Sequence, residues 1–145
     1  MSERIVYPDI ESTLVDYLSA ELAGIPDSAE IATVVADPRP PRLVRVRRDD
    51  RRRRMDREDE QGSRGPQLIL DRPRVVFECY DTGGGAAELA ALVRAVLAGA
   101  APGYLGPVWC DSIADAGVVN EIDPASSEPR QVITADLIVR GTVLA

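Results

Sequence analysis

Arginine is concentrated in one short stretch of the chain, residues 42–64 (RLVRVRRDDRRRRMDREDEQGSR). This stretch holds ten of the seventeen arginines and six acids, which gives it a net charge of +4 in a chain whose net charge is −7. Clustered guanidinium groups can bind phosphates or pair with the carboxylates of another protein. The candidate contact residues are Arg45, Arg47, Arg48, Arg51, Arg52, Arg53, Arg54 and Arg57.

Three features of this stretch favour contact with protein over contact with nucleic acid. Acids are interleaved with the arginines, at positions 49, 50, 56 and 58–60. No aromatic residue lies between 42 and 64 to stack on a base, and the rest of the chain, with a net charge of −11, would repel DNA. We therefore interpret residues 48–66 as a protein-contacting arm inserted between two strands. A nucleic-acid-binding module acting through Arg51–Arg54 and a merely solvated loop are the alternatives.

The composition removes many catalytic chemistries. The chain has no histidine, and all of its basic residues are arginine, so it has no lysine. Histidine general bases, histidine metal ligands, Schiff-base lysines and phosphate-loop lysines are therefore excluded. Gly83-Gly84-Gly85 lies between a strand and a helix, but Glu88 in the first helical turn would repel a phosphate, so we interpret it as a plain turn. We expect no enzyme, no catalytic residue, no cofactor and no metal site.

The cysteines and the apolar runs of the chain indicate the compartment in which we expect the protein. Cys79 and Cys110 are far apart and form no CxxC pair, so we expect two buried free thiols in a reducing compartment. The start of the chain, MSERIVYPDIES, lacks the basic and apolar regions of a signal peptide. The longest apolar run, 86–98, is interrupted by Glu88 and Arg94, so we expect no membrane span.

The spacing of apolar residues predicts two helices and five strands. Ile10, Leu14, Leu18 and Leu22 recur at helical spacing after Asp9, which is placed to cap the first turn. The predicted order is helix 9–22, strands 31–36 and 43–47, the arm 48–66, strand 74–80, helix 85–98, strand 108–122 with a break near Gly117, and a final strand over 131–145. This order favours an α+β fold in a single domain, 1–145, with one mostly antiparallel sheet and two helices packed on one face.

Alternation in two of these strands predicts which side chains face the core. In 74–80, Val75, Phe77 and Cys79 share one face, whereas Val76, Glu78 and Tyr80 share the other. In the final strand, one face carries Ile133, Ala135, Leu137, Val139 and Val143.

Three segments of the chain resemble the tail terminator proteins of long-tailed (siphovirus-type) bacteriophages, especially those that infect actinobacteria. The first is the opening helix, PDIESTLVDYLSAEL. The second is Asp71-Arg72-Pro73-Arg74-Val75-Val76-Phe77, running into Ala86-Ala87-Glu88-Leu89-Ala90. The third is the ending, Glu128-Pro129-Arg130-Gln131-Val132 with Asp136-Leu137-Ile138-Val139-Arg140-Gly141. The family's pattern does not include so arginine-dense an arm, so the resemblance implies no role for it.

The resemblance implies a small α+β structural subunit without catalytic residues. Such subunits form a ring, usually a hexamer, on the head-proximal end of the completed tail tube, where the ring ends polymerisation and joins the tail to the head connector. The implied partners are further copies of the chain, the tail tube protein and head–tail connector or neck proteins, with genomic DNA passing through the lumen without specific binding. The implied location is the virion, after assembly in the host cytoplasm. Other neck and tail-completion proteins are also small α+β ring subunits, so another position in the neck is the alternative.

Overall fold

The chain folds as an α+β protein, as the sequence predicts. The structure is a computed structural model, and it describes residues 4–26, 28–52, 62–64 and 69–144. In chain order its elements are β1 (Arg4–Val6), α1 (Ile10–Leu22), β2 (Glu30–Ala32), β3 (Arg42–Arg48), a 3₁₀ turn (Asp50–Arg52), β4 (Gly62–Arg64), β5 (Ile69–Asp71), β6 (Arg74–Asp81), α2 (Ala86–Ala100), β7 (Gly103–Leu105), β8 (Val108–Ile122), β9 (Pro129–Arg140) and β10 (Thr142–Leu144).

The sheet is built around β9. Strand β6 pairs with one side of β9 and β8 pairs with the other, both antiparallel. Next to β6 lies β3, antiparallel, and next to β3 lies β2, parallel. Strand β7 pairs with β8. Strand β5 pairs with β9 on the same side as β6, and β4 pairs with β5. The strand order therefore runs from β2 at one end, through β3, β6, β9 and β5, to β4 at the other, and β8, with β7, lies off this order as a second neighbour of β9.

Both helices cover the same face of this sheet, which we call the helix face. Asp9 begins α1 by accepting a hydrogen bond from the backbone N–H of Ser12 at 3.2 Å, as predicted. One hydrophobic core joins the apolar stripes of both helices to alternate residues of β3, β6 and β9. The core residues of the helices are Ile10, Leu14, Leu18, Leu22, Leu89, Ala90, Val93, Leu97 and Ala100. The prediction of two helices on one face is therefore confirmed.

The predicted alternation is confirmed in β6 and in most of the final strand. Val75, Phe77 and Cys79 belong to the core, as do Ile133, Ala135, Leu137 and Val139. Glu78 and Tyr80 lie on the opposite side of the sheet, which we call the second face. The prediction for Val143 is wrong, because β9 ends at Arg140 and Val143 pairs with Ile5 in a separate β1–β10 ribbon, where it is 54% exposed.

The strand predicted over 31–36 is shorter than expected and ends at Ala32. Strands β2 and β3 are parallel, so the chain must travel back along the sheet between them. Residues 33–41 make this return, and the apolar Val34 and Val35 are left in the connection. By contrast, the predicted break in β8 near Gly117 is confirmed, because the register shifts between Asp115 and Val118 and Gly117 has a φ of 106°.

Parts of the predicted arm, 48–66, are regular structure instead. Arg48 is the last residue of β3, Asp50–Arg52 form the 3₁₀ turn, and Gly62–Arg64 form β4. β4 pairs with β5, so this part of the chain returns to the sheet edge instead of continuing as a loop. Residues 53–61 and 65–68 lie outside the described residues.

Candidate functional site

Arg45 and Arg47, two of the predicted contact residues, are paired inside the protein. Both project from β3 onto the second face, beside Glu78 of β6, which is 2% exposed. Arg45 Nη1 donates to Glu78 Oε1 at 3.1 Å, and Arg47 Nε lies 3.7 Å from the same oxygen. Their side chains are 34% and 23% exposed. These two arginines therefore neutralise a buried carboxylate of their own sheet.

The same carboxylate is held from the other side by Arg130 of β9. Arg130 Nη1 donates to Glu78 Oε2 and to Tyr80 Oη, and Arg130 Nη2 donates to Glu121 Oε1 at 2.9 Å. Tyr80 Oη in turn donates to Asp123 Oδ2 at 3.1 Å. Buried charges are tolerated when they are paired and hydrogen-bonded in this way. The second face therefore carries an ionic network in which Arg45, Arg47 and Arg130 surround the carboxylate of Glu78.

Arg48 also acts within the fold. Its Nη1 and Nη2 donate to Asp71 at 2.7 and 2.9 Å, and its Nη2 donates to Asp50 at 2.8 Å. Its backbone N–H donates to Glu11 of α1 at 2.8 Å. A bidentate arginine–carboxylate pair fixes both geometry and orientation. Arg48 thus ties the end of β3 to β5 and to the start of α1.

Arg51 differs from these three, because its side chain is 92% exposed. Its backbone N–H and its Nε donate to Asp49 Oδ1 at 3.2 and 3.3 Å, which leaves both Nη groups in solvent. The hydrogen bond from Arg47 is the main cause that lowers the pKa of Asp49 to about 2, and the bond from Arg51 adds to it. The backbone of Arg52 completes the 3₁₀ turn. The other predicted contact residues, Arg53, Arg54 and Arg57, lie outside the described residues.

A groove with an acidic rim separates α1 from the end of β2 on the helix face. Its volume is about 440 Å³, and we call it the acidic groove. Asp9 and Glu11 form the rim, and Val15, Ala32 and Val34 form apolar walls. The surrounding segment 5–38 contains seven acids and no arginine, so its charge equals the net charge of the whole chain. The negative charge of this segment is therefore not compensated by basic residues within it.

An aromatic groove of about 730 Å³ lies at the start of β8, lined by Tyr104, Trp109 and Arg140 among others. The Tyr104 and Trp109 rings meet edge to face at 4.9 Å, and the Arg140 guanidinium lies 5.9 Å from the Trp109 ring centroid. Asp111 accepts from both Trp109 Nε1, at 2.8 Å, and Arg140 Nη2, at 2.9 Å. These side chains are held by one another, and they include no base or nucleophile with a partner suited to catalysis.

Two edges of the sheet, one at β8 and one at β2, carry exposed apolar side chains. Beyond Cys110, the outer edge of β8 has no strand partner among the described residues. Val119 and Ile122 on this part of β8 are 58% and 65% exposed. At β2, Val34, which lies two residues beyond the end of the strand, is 66% exposed. Unpaired strand edges with apolar side chains are the surfaces on which further strands or subunits pack.

The two thiols are buried and free, as predicted. Burial raises the pKa of Cys79 to about 12 and that of Cys110 to about 11, so neither is a thiolate at neutral pH. Within the described ranges, no group of three or more cysteine, aspartate or glutamate side chains is placed to hold a metal ion. No helix in the described part of the chain is long and apolar enough to cross a bilayer.

No protein-family model and no curated protein sequence matches this chain. The functional argument therefore depends on the fold, on the exposed surfaces and on the charges that these surfaces carry.

Sequence reasoning missed Glu78 as the residue around which the second face is organised. The one available signal was its type, since it is a lone acid in the otherwise apolar strand segment Val75–Tyr80. Sequence reasoning also treated Arg45, Arg47, Arg48 and Arg51 as one set, whereas the structure pairs the first three internally. The role of the arginines in contacts with another protein stays a prediction. It now concerns mainly Arg51 and the arginines that follow it in the sequence.

Proposed function

We propose that this protein is a subunit of a ring that caps the tail tube of a long-tailed bacteriophage, ends tube polymerisation and joins the tail to the head connector. The observation that supports this best is the presence of two different strand edges, the outer edge of β2 and that of β8 beyond Cys110, that have no partner strand among the described residues. Each is flanked by exposed valine or isoleucine side chains.

Two different contact surfaces on one chain favour head-to-tail association. When one surface of a subunit binds the other surface of the next, the contact generates a closed ring or an open filament, depending on the rotation between subunits. A self-complementary dimer would need a single surface that pairs with itself. The edges of β2 and β8 differ in length and in neighbouring residues, so they suit the first arrangement.

The segments that carry the family resemblance are central elements of the fold. The opening segment is α1, the middle one runs from β5 through β6 into α2, and the last lies in β9. These elements build the core and the centre of the sheet, so the resemblance concerns the scaffold of the protein and not a peripheral loop. A structural subunit also agrees with the pairing of Arg45, Arg47 and Arg130 within the fold and with the thiols held in the protonated form.

The proposed partners are further copies of the chain, the tail tube protein and the head–tail connector or neck proteins. Genomic DNA would pass through the lumen of the ring without specific binding. The acidic segment 5–38 suits a lumen wall, because carboxylates repel the phosphate backbone. The proposed location is the virion, with assembly in the host cytoplasm. Another position in the neck or tail-completion machinery is the alternative within the same class of protein.

The proposal is tested by imaging and by an assembly assay. Native mass spectrometry and negative-stain microscopy of the purified chain, alone and with tail tube protein, are expected to show closed rings, with a hexamer as the expected size. Tubes assembled in its presence should stop growing and carry a ring at one end. A chain that stays monomeric and leaves tube growth unchanged under all conditions rules the proposal out.

A separate measurement addresses the nucleic-acid alternative. Fluorescence anisotropy with labelled DNA and RNA at low salt is expected to show no binding, because acids surround the arginines and dominate the rest of the surface. Binding that falls steeply with salt and disappears when Arg51–Arg54 are replaced by serine would favour the alternative instead.

A further inference from the structure

We propose that the outer edge of β2 in one copy pairs with the outer edge of β8 in the next copy, along Val118–Ile122. This inference rests on the proposed ring, because it names the two strands through which neighbouring subunits of that ring would meet. An added strand contributes main-chain hydrogen bonds and packs its alternate side chains against its neighbour. The sheets of successive subunits would then join into one continuous sheet around the ring.

The free edge of β8 is regular only in its last part. A β-bulge lies between Asp115 and Val118, and there the Gly117 N–H is already bonded to Asp115 Oδ1 at 2.6 Å. Bulges twist a strand and hinder its pairing with a further strand. Beyond the bulge, Val118–Ile122 pair with β9 in one uninterrupted register. The part of the edge that can accept a new strand is therefore short, and it suits a strand as short as β2, Glu30–Ala32.

The chain at β2 offers both backbone groups and side chains to such an edge. β2 pairs with β3 on one side and has no strand partner on the other among the described residues. Just beyond β2, the backbone N–H groups of Val34 and Val35 make no hydrogen bond within the described part of the chain. Val34 is 66% exposed, and Val119 on β8 is 58% exposed. A pairing that sets Val34 opposite Val119 would bury both side chains, as cross-strand pairs do within a sheet.

The charges near the two edges favour an antiparallel pairing of these valines. Asp37 is exposed and has no cationic partner among the described side chains. An antiparallel strand brings Asp37 towards Asp115, which binds Arg94 Nε at 2.7 Å. Both Nη groups of Arg94 make no hydrogen bond within the described residues, so they can meet a second carboxylate. A parallel strand would instead bring Asp37 next to Glu121, a carboxylate that is 42% exposed. Opposite charges that meet across an interface fix its orientation.

The two edges belong to different margins of the sheet. In one copy, β3, β6 and β9 lie between β2 and β8. Neither outer edge has a strand partner among the described residues, so the two edges do not pair with each other within the folded chain. A contact between two different edges of successive copies is head-to-tail, and it generates a ring when the rotation between subunits closes.

Disulfide formation between two differently substituted chains tests this pairing. One chain carries Val34→Cys and the other carries Val119→Cys, at positions that the pairing sets within the Cα separation of about 4.4–6.8 Å that a disulfide needs. The native thiols are buried, so mild oxidation should join the introduced cysteines alone. Ala95→Cys, on the exposed surface of α2, replaces Val34→Cys in the matched control. Native mass spectrometry of the wild-type and substituted chains reports whether rings are present.

A second pair of substitutions reports the orientation of the two strands. Asp37→Cys in one chain should be joined to Ala116→Cys in the other when the strands are antiparallel, and to Ile122→Cys when they are parallel. We expect the disulfide with Ala116→Cys to form in severalfold higher yield than the disulfide with Ile122→Cys. The reverse ratio would overturn the antiparallel pairing.

We expect the Val34→Cys and Val119→Cys chains to form disulfide-linked dimers in severalfold higher yield than the control mixture. Rings without excess disulfide would overturn this pairing and leave the proposed function standing. A disulfide within monomers that carry both Val34→Cys and Val119→Cys would show that the two edges meet in one copy, and it would overturn the contact between copies. Absence of rings from the wild-type chain would remove the proposed function and this inference together.

Discussion

Arg48 holds Asp71 with both of its terminal nitrogens, Nη1 to Oδ2 at 2.7 Å and Nη2 to Oδ1 at 2.9 Å. Three residues further along, Arg51 keeps both of its terminal nitrogens in solvent. The boundary between arginines that hold the fold and arginines available to a partner therefore lies at the end of β3. Replacing Arg48 on one side of this boundary and Arg51 on the other should therefore distinguish an effect on the stability of the fold from an effect on assembly.

The first prediction compares Arg48→Ser with Arg51→Ser. Arg48→Ser leaves the carboxylate of Asp71, which is 7% exposed, without its bidentate partner. We expect the free energy of unfolding to fall by about 2–3 kcal/mol, in the range for lost hydrogen bonds to charged groups. Arg51→Ser should change it by no more than about 0.5 kcal/mol, because the side chain is exposed. Urea unfolding measures both, and equal losses would contradict the division.

Local periodicity predicts much of the fold but not these pairings. The leucines of α1 and the alternation of β6 follow from spacing along the chain, so they are visible in the sequence. Arg45 and Glu78 are direct cross-strand neighbours, and this relation depends on the register of β3 against β6. Registers between distant segments cannot be deduced from spacing alone. The β1–β10 ribbon was missed for the same reason, since its three-residue strands come from the two ends of the chain.

The second prediction concerns Glu78, whose removal leaves Arg45, Arg47 and Arg130 around an apolar site. Glu78→Leu should lower the free energy of unfolding by about 3–5 kcal/mol, as expected when one partner of a buried ion pair is removed. Glu121→Leu is the matched control, because it also loses a bond to Arg130 but its side chain is 42% exposed. The control should cost at most about 1 kcal/mol. If urea unfolding gives similar losses of unfolding free energy for Glu78→Leu and Glu121→Leu, then the burial of Glu78 does not determine the size of the loss.

The third prediction is that protonation of Asp49 lowers the stability of the fold in acid. Its folded pKa is about 2, whereas an unfolded aspartate titrates near about 3.9. As the pH falls, the carboxylate of Asp49 is therefore protonated at a lower pH in the folded state than in the unfolded state. The free energy of unfolding that Asp49 contributes is complete above about pH 4 and is lost as the pH falls towards 2. We expect this contribution to be about 2 kcal/mol.

Asp49→Asn should remove the contribution of Asp49 at neutral pH and reduce the dependence of stability on pH between about 4 and 2. Urea unfolding at a series of pH values measures this. Exposed Asp16→Asn, which has no cationic partner among the described side chains, is the control and should keep the wild-type dependence. An unchanged pH profile in Asp49→Asn would show that the Arg47–Asp49–Arg51 contacts do not stabilise the fold.

The fourth prediction concerns the reactivity of the two thiols. Cys79 and Cys110 are buried, and burial raises their pKa values to about 12 and about 11. A thiol reagent at pH 8 should therefore label neither in the folded protein and both after unfolding in urea. Absorbance of the released chromophore measures the number of labelled thiols over time. Rapid labelling of Cys79 before unfolding would mean that β6 opens locally in the native state.

The fifth prediction tests the open edge of β8. Val119 is 58% exposed on a part of β8 that lacks an outer strand partner among the described residues, so Val119→Lys should be tolerated by the isolated chain. A lysine on a strand edge blocks pairing with another chain, because its charge would have to be desolvated in the contact. We therefore expect Val119→Lys to prevent ring formation while its urea midpoint stays close to that of the wild type. Ala95→Lys on the exposed surface of α2 adds the same charge away from both edges and should leave rings intact. If Val119→Lys assembles as well as Ala95→Lys, then the edge of β8 is not a contact surface, and the two-edge arrangement that supports the proposed ring is lost.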